Sequence, residues 1–186
     1  MSLRHVRAVS AVLLVSTFAV VTAGPAGASL TATVADLVLP ATPYSHRAQT
    51  TSGRLVLTAA DSTSVCTPPG SGVGSGAGWH VSEQASDLTY TGPNHGADIA
   101  AAKLAIVSVE EPVVVAGMPV DPVGGPRVPH TSPVGSLDSP RTVLSAEPGY
   151  GCGTYRQGIT LELSIPPRAR AGTYTATITT TIAAGP

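Results

Sequence analysis

The chain has 186 residues, with ten basic side chains, eleven acidic ones and a formal charge of −1. Charged residues make up only 11%, while twenty glycines and seventeen prolines punctuate the sequence; such material suits many turns between short strands and suits helices poorly. No basic patch of the kind that nucleic acid or an anionic membrane surface requires is legible, so neither partner is expected.

In chain order, Arg4, His5 and Arg7 precede a mostly apolar run over 9–21, and Ala26-Gly27-Ala28 offers small residues at the two positions a signal peptidase reads. Residues 1–28 are therefore read as a cleaved secretory signal peptide and 29–186 as a single domain, long enough for a real core. Gly24 and Pro25 end the apolar run well short of a bilayer span, and no later stretch is long enough, so no membrane span is expected after signal removal. Without Arg4 and Arg7, eight basic residues face eleven acidic ones, a mildly acidic −3.

Residues 30–39 alternate imperfectly and stop at Pro40, a first strand; 41–53 are polar and turn-rich; 54–60 form a second strand ending at Asp61. Residues 61–78 hold Cys66 and a glycine-rich run, with neither the glycine spacing nor the following helix of a phosphate-cradling loop, and read as a surface loop. The next strand starts at Gly78, with Trp79 and Val81 on one face and His80 on the other, and continues through 87–90. The only tryptophan shares its face with Val81 and is expected in the core. A helical turn at 100–103 leads into a strand at 104–109. Residues 110–141, broken by Pro112, Pro119, Pro122, Pro126, Pro129, Pro133 and Pro140, read as an irregular excursion with one edge strand at 113–115. A strand at 142–146 and a glycine-permissive corner at 149–155 follow.

The clearest pattern comes last. Ile159, Leu161, Leu163 and Ile165 alternate with polar residues, and beyond the loop 166–172 so do Tyr174, Ala176, Ile178 and Ile182. These two half-buried strands are expected to form an antiparallel hairpin that needs a second sheet to cover it. Position 180 falls on the inward face, so the Thr180 hydroxyl needs a hydrogen-bond partner such as a backbone carbonyl. Together the elements predict an all-β, antiparallel, Ig-like β-sandwich of roughly seven to nine strands with little or no helix.

Two cysteines in an exported chain pair by default, so Cys66 and Cys152 are expected to be bonded. His46, His80, His95 and His130 lack zinc-site spacing, and Asp36, Asp61, Asp87 and Asp98 match no calcium loop. The adjacent Glu110 and Glu111 point to opposite faces of a strand and form no acid/base pair, and no serine sits in a nucleophile motif. No catalytic residue, metal or cofactor is expected, and the chain is not read as an enzyme.

The stretch from Asp61 to Gly78-Trp79-His80-Val81, residues 99–104 (Ile-Ala-Ala-Ala-Lys-Leu) and the ending Ala171-Gly172-Thr173-Tyr174-Thr175 through Ile182 resemble the WxL-domain surface proteins of Gram-positive bacteria. Val81 stands for the leucine of the first Trp-x-Leu motif, and Thr180 replaces the second tryptophan. The resemblance implies a WxL-like sandwich with Trp79, Val81, Tyr174, Thr180 and Ile182 as signature or binding positions. It also implies a secreted or cell-wall-associated protein that holds peptidoglycan, or another surface protein, non-covalently. The alternative is a fimbrial or coat-like subunit that assembles through an edge strand.

Two outcomes are expected. Intact-mass measurement of the secreted protein should give an N-terminus at Ser29 or within a few residues of it; retention of residues 1–20 contradicts the leader. Thiol labelling of the denatured, unreduced protein should find no free cysteine, whereas stoichiometric labelling refutes the Cys66–Cys152 bond.

Overall fold

A computed structural model describes residues 8–13, 29–62, 76–93, 95–131 and 133–185, and of 8–13 only the backbone course. In chain order the strands are β1 (Ala8–Leu13), β2 (Leu30–Val34), β3 (Leu37–Val38), β4 (Thr42–Pro43), β5 (Gln49–Asp61), β6 (Trp79–Ala85) and β7 (Thr89–Thr91). A 3-10 turn at Ala101–Lys103 then leads to β8 (Leu104–Val109), β9 (Val113–Gly117) and β10 (Gly135–Ser136). The last strands are β11 (Arg141–Ala146), β12 (Gly153–Ile165), β13 (Thr173–Thr175) and β14 (Ile178–Ala184). The protein is all-β, with its strands in three sheets arranged like a sandwich.

β12 organises the largest sheet. Its alternating sequence pairs antiparallel with β5 along thirteen residues, from Gly153 opposite Asp61 to Ile165 opposite Gln49. Directly paired residues share a face, so Tyr155, Ile159 and Leu161 join Leu55, Leu57 and Ala59 in one buried layer. β8 and β9 line the other side of β12, and β2 and β10 complete a six-stranded sheet in the order β10-β8-β12-β5-β2. Trp79, Val81 and Ala85 of β6, Val143 and Leu144 of β11, and Ile178 and Ile182 of β14 are buried in the same core cluster. They come from a three-stranded antiparallel sheet ordered β11-β6-β14. Each large aliphatic side chain so buried contributes about 1.5–3 kcal/mol.

The expected terminal hairpin is absent. β12 belongs to the six-stranded sheet, β13 to the five-stranded one and β14 to the three-stranded one. Residues 166–172 form a crossing: a turn in which Ala169 N–H donates to Pro166 O (3.0 Å) starts a loop long enough to pass between sheets stacked about 10 Å apart. The inward alternation does hold: Tyr174, Ala176, Ile178, Thr180 and Ile182 are all buried. The two apolar faces meet one core from different sheets instead of lying side by side.

Other boundaries differ as well. The turn-rich reading of 41–53 missed that β5 begins at Gln49. Here Gly53 lets the strand pass beneath the Leu37 and Leu39 side chains, where a Cβ would lie 2.8 Å from a Leu39 methyl. Residues 87–90 do not continue β6; β7 pairs instead with β13. Strands outnumber the seven to nine expected because segments such as 37–43 and 135–136 add two-residue strands. β1 lies within the segment read as signal peptide, and the rest of that segment, like Cys66, lies outside the described residues.

Candidate functional site

The residues singled out by the resemblance form a core. Trp79 and Ile182, like Val81, Tyr174 and Thr180, are no more than 1% exposed. Their polar atoms are used internally. Trp79 Nε1 donates to Gly151 O (3.2 Å), its ring lies 6.3 Å from that of Tyr155, and Tyr155 Oη donates to Met118 O (2.9 Å) and Cys152 O (3.1 Å). Burial pushes the Tyr155 phenol up to about 12, with the Asp61 charge adding to the effect. These bonds tie the aromatic pair to the glycine corner, where Gly153 has φ +135° and a Cβ would meet Ala116 O at 2.2 Å. Cys152 is buried in this corner.

Tyr174 does the same at the far end of the core. Its hydroxyl donates to Arg170 O (3.1 Å) and accepts from Arg170 N–H (2.9 Å), and its ring packs 5.2 Å from that of Tyr90. The loop 166–172 is thereby fastened to the strand that follows it.

Thr180 does find a partner, a carboxyl group where a carbonyl was expected. Its Oγ1 donates to Glu83 Oε2 at 2.8 Å across the β6–β14 ladder. Glu83 is 1% exposed, and its Oε1 has no partner. Desolvation, only partly offset by the Thr180 bond, raises its pKa to about 8. At neutral pH the group is therefore mostly protonated. Sequence reading passed over Glu83, although Trp79, Val81, Glu83 and Ala85 fall on one face of β6 by simple alternation. Gln157, equally buried, donates through Nε2 to Glu110 O (3.0 Å) and Val143 O (3.1 Å).

With that face of β6 and β14 committed to the core, the side chains open to a ligand are those on the opposite face. His80 stands directly across from Ser145 on that face. A register shift between Thr142 and Leu144 turns both Val143 and Leu144 inward, leaving Thr142 and Ser145 outward. The proline-rich excursion passes over this surface. Asp121 Oδ1 accepts from Val123 N–H (2.8 Å) and Gly124 N–H (2.7 Å), bonds that hold its carboxyl below the usual range, the Gly124 bond foremost. Arg127 then bridges Ser145 through its backbone (2.9 and 3.1 Å), and its guanidinium pairs with Glu147 at 3.1 Å.

The result is a groove of about 470 Å³, walled by Pro129 and Pro140 and lined by His80, Thr131, Arg141, Thr142, Ser145 and Glu147. Its volume lies in the range of small-ligand sites. His80 Nδ1 lies 2.9 Å from Gly185 O, which can only accept, so Nδ1 carries the proton and Nε2 is the acceptor of the neutral ring. Arg141 is held by its Nε–H bond to Ser136 O (3.0 Å). The groove thus offers hydroxyls and an imidazole between proline rings. The sequence placed His80 opposite Trp79 but carried no sign that the excursion would fold over it.

No family model matches the chain, and no curated protein matches it.

Replacing Glu83 by glutamine tests the buried acid. A carboxyl whose folded pKa is raised lends stability that is fully present below its unfolded value near 4.5 and is lost as pH rises towards about 8. The amide of Glu83→Gln can still accept from Thr180 and does not ionise. The variant should match the parent in thermal melts at pH 4.5 and exceed it increasingly up to pH 8, by a few kcal/mol, at about 1.4 kcal/mol per pKa unit. A difference independent of pH contradicts the burial of a titrating acid.

Proposed function

We propose that this chain is a secreted or cell-wall-associated, non-enzymatic surface protein that holds peptidoglycan or a surface-protein partner without forming a covalent bond. The observation that carries the reading is the groove between the excursion and the outer face of β6 and β11. It presents the Thr142 and Ser145 hydroxyls and His80 beside proline rings, a surface suited to the hydroxyl and amide groups of a glycan. Glu147, the groove's carboxylate, is engaged by Arg127, so the site offers hydrogen bonds in preference to acid/base chemistry. The likeness of the Trp79 strand and of the ending through Ile182 to WxL-domain proteins supports the same reading. On this account the five signature residues serve as core and the contact surface lies on the other side of the same strands.

A second reading, a fimbrial or coat-like subunit, draws on one feature. β9 is an edge strand exposed along its length, with Val113 at 66%, Val114 at 40% and Val115 at 56% exposure. An uncharged apolar edge is a template for pairing with another chain.

Co-sedimentation with purified peptidoglycan tests the first reading. The double variant His80→Ala, Ser145→Ala changes only outward side chains, so its melting temperature should stay within a few degrees of the parent. Its retention on peptidoglycan should fall about tenfold, the loss of roughly 1.4 kcal/mol of binding. Undiminished retention by a folded variant contradicts the assignment of the groove.

A further inference from the structure

We propose that the place held by β1 is a strand-acceptor slot, which in the exported chain receives an extended, uncharged, apolar segment of a surface-protein partner. The inference deepens the partner-binding reading above and rests on removal of the leader. β1 is interior to its sheet. On one side it runs parallel to β13, with Ser10 opposite Thr173 and Ala11 opposite Tyr174. On the other it runs antiparallel to β3, through Val12–Val38 and Leu13–Leu37, and to β4, through Ala8–Pro43 and Val9–Thr42. Take β1 away and the five-stranded sheet divides: β13 keeps β7, while β3 and β4 have no ladder partner among the described residues. The bordering backbone groups then need new hydrogen bonds, and beside them lie the buried side chains of Leu37 and Tyr174.

β1 itself shows what the slot takes. Ala-Val-Ser-Ala-Val-Leu carries no charge and no proline and consists of small, β-branched and aliphatic residues. Recognition of such a segment needs main-chain bonds for affinity and alternate side-chain positions for selectivity. A second copy is poorly equipped to supply it. Among the described residues, the strand exposed and apolar along its length, β9, is already paired with β12 through Val113, Val114, Ala116 and Gly117, and it would have to be stripped from that sheet to be donated. A partner with a free extended segment meets no such obstacle.

The test uses the full-length chain, so it does not depend on export, which the intact mass of the secreted protein reads separately. Val9→Pro with Ala11→Pro unseats β1, because proline cannot donate to a ladder. The probe is a synthetic peptide of residues 8–15, followed by hydrogen exchange. Amides of residues 37–38 and 173–175 should exchange about tenfold faster in the variant, while those of β5 and β12 stay protected. The peptide should bind one to one and restore protection, and a peptide carrying the same two prolines should not. The proposal is overturned if exchange in the slot is unchanged, or if the peptide fails to bind at about 100 µM. It is equally overturned if β5 and β12 lose protection too, which makes β1 a structural strand, or if the variant protects the slot by self-association, which gives it to a second copy.

Discussion

The ladder between β5 and β12 is the constraint on which the other elements depend. Thirteen consecutive residues of each strand face one another without a shift, and a slip by one residue would turn Tyr155, Ile159 and Leu161 out to solvent and their polar neighbours in. That penalty locks the register. With it locked, β8 and β9 are assigned to successive halves of β12, and β2 is placed on the outer side of β5. The bidentate pair between Arg54 and Glu110 (2.7 and 2.6 Å) lies on the exposed side of this sheet. Salt-screened and half in water, it contributes little beside the buried layer.

Against that layer the three-stranded sheet presents an inward face that is apolar except at Glu83 and Thr180. Hydroxyl and carboxyl satisfy each other in part, and the unfavourable remainder appears as the raised pKa of Glu83. Thr180 and Glu83 lie side by side on the inward face, where each is the other's polar side-chain partner. Trp79 and Tyr155 fill the other end of the core and direct their polar atoms to the glycine corner, whose positive φ angles at 151 and 153 no bulky residue adopts readily. Packing, corner geometry and the position of Cys152 are thus one arrangement.

Much of this was legible in advance because strand alternation has a period of two and a buried face cannot hide it. The inward set of β12 to β14, the shared face of Trp79 and Val81 and the edge character of β9 all follow from that rule or from proline placement. What alternation does not contain is which sheet a strand joins. Ile165 and Tyr174 are separated by a loop that serves equally for a hairpin or for a crossing, and here the crossing wins because it buries both faces in one core. The groove was illegible for a related reason. Its far wall belongs to an excursion held by the Arg127 bridge to Ser145, a contact between residues remote in sequence, and by the local turn capped at Asp121; neither leaves a periodic signature.

Single strands are divided in use: inward residues of β6, β11 and β14 build the core, and outward residues of β6 and β11 line the groove proposed to take the ligand. The measurement that tests this most directly is an NMR titration of the isotope-labelled chain with soluble peptidoglycan fragments. The account predicts shifts concentrated at His80, Thr142 and Ser145, with the Trp79 indole and the Tyr174 ring unmoved. Selective shifts or broadening at Trp79 and Tyr174, with the groove silent, would contradict it.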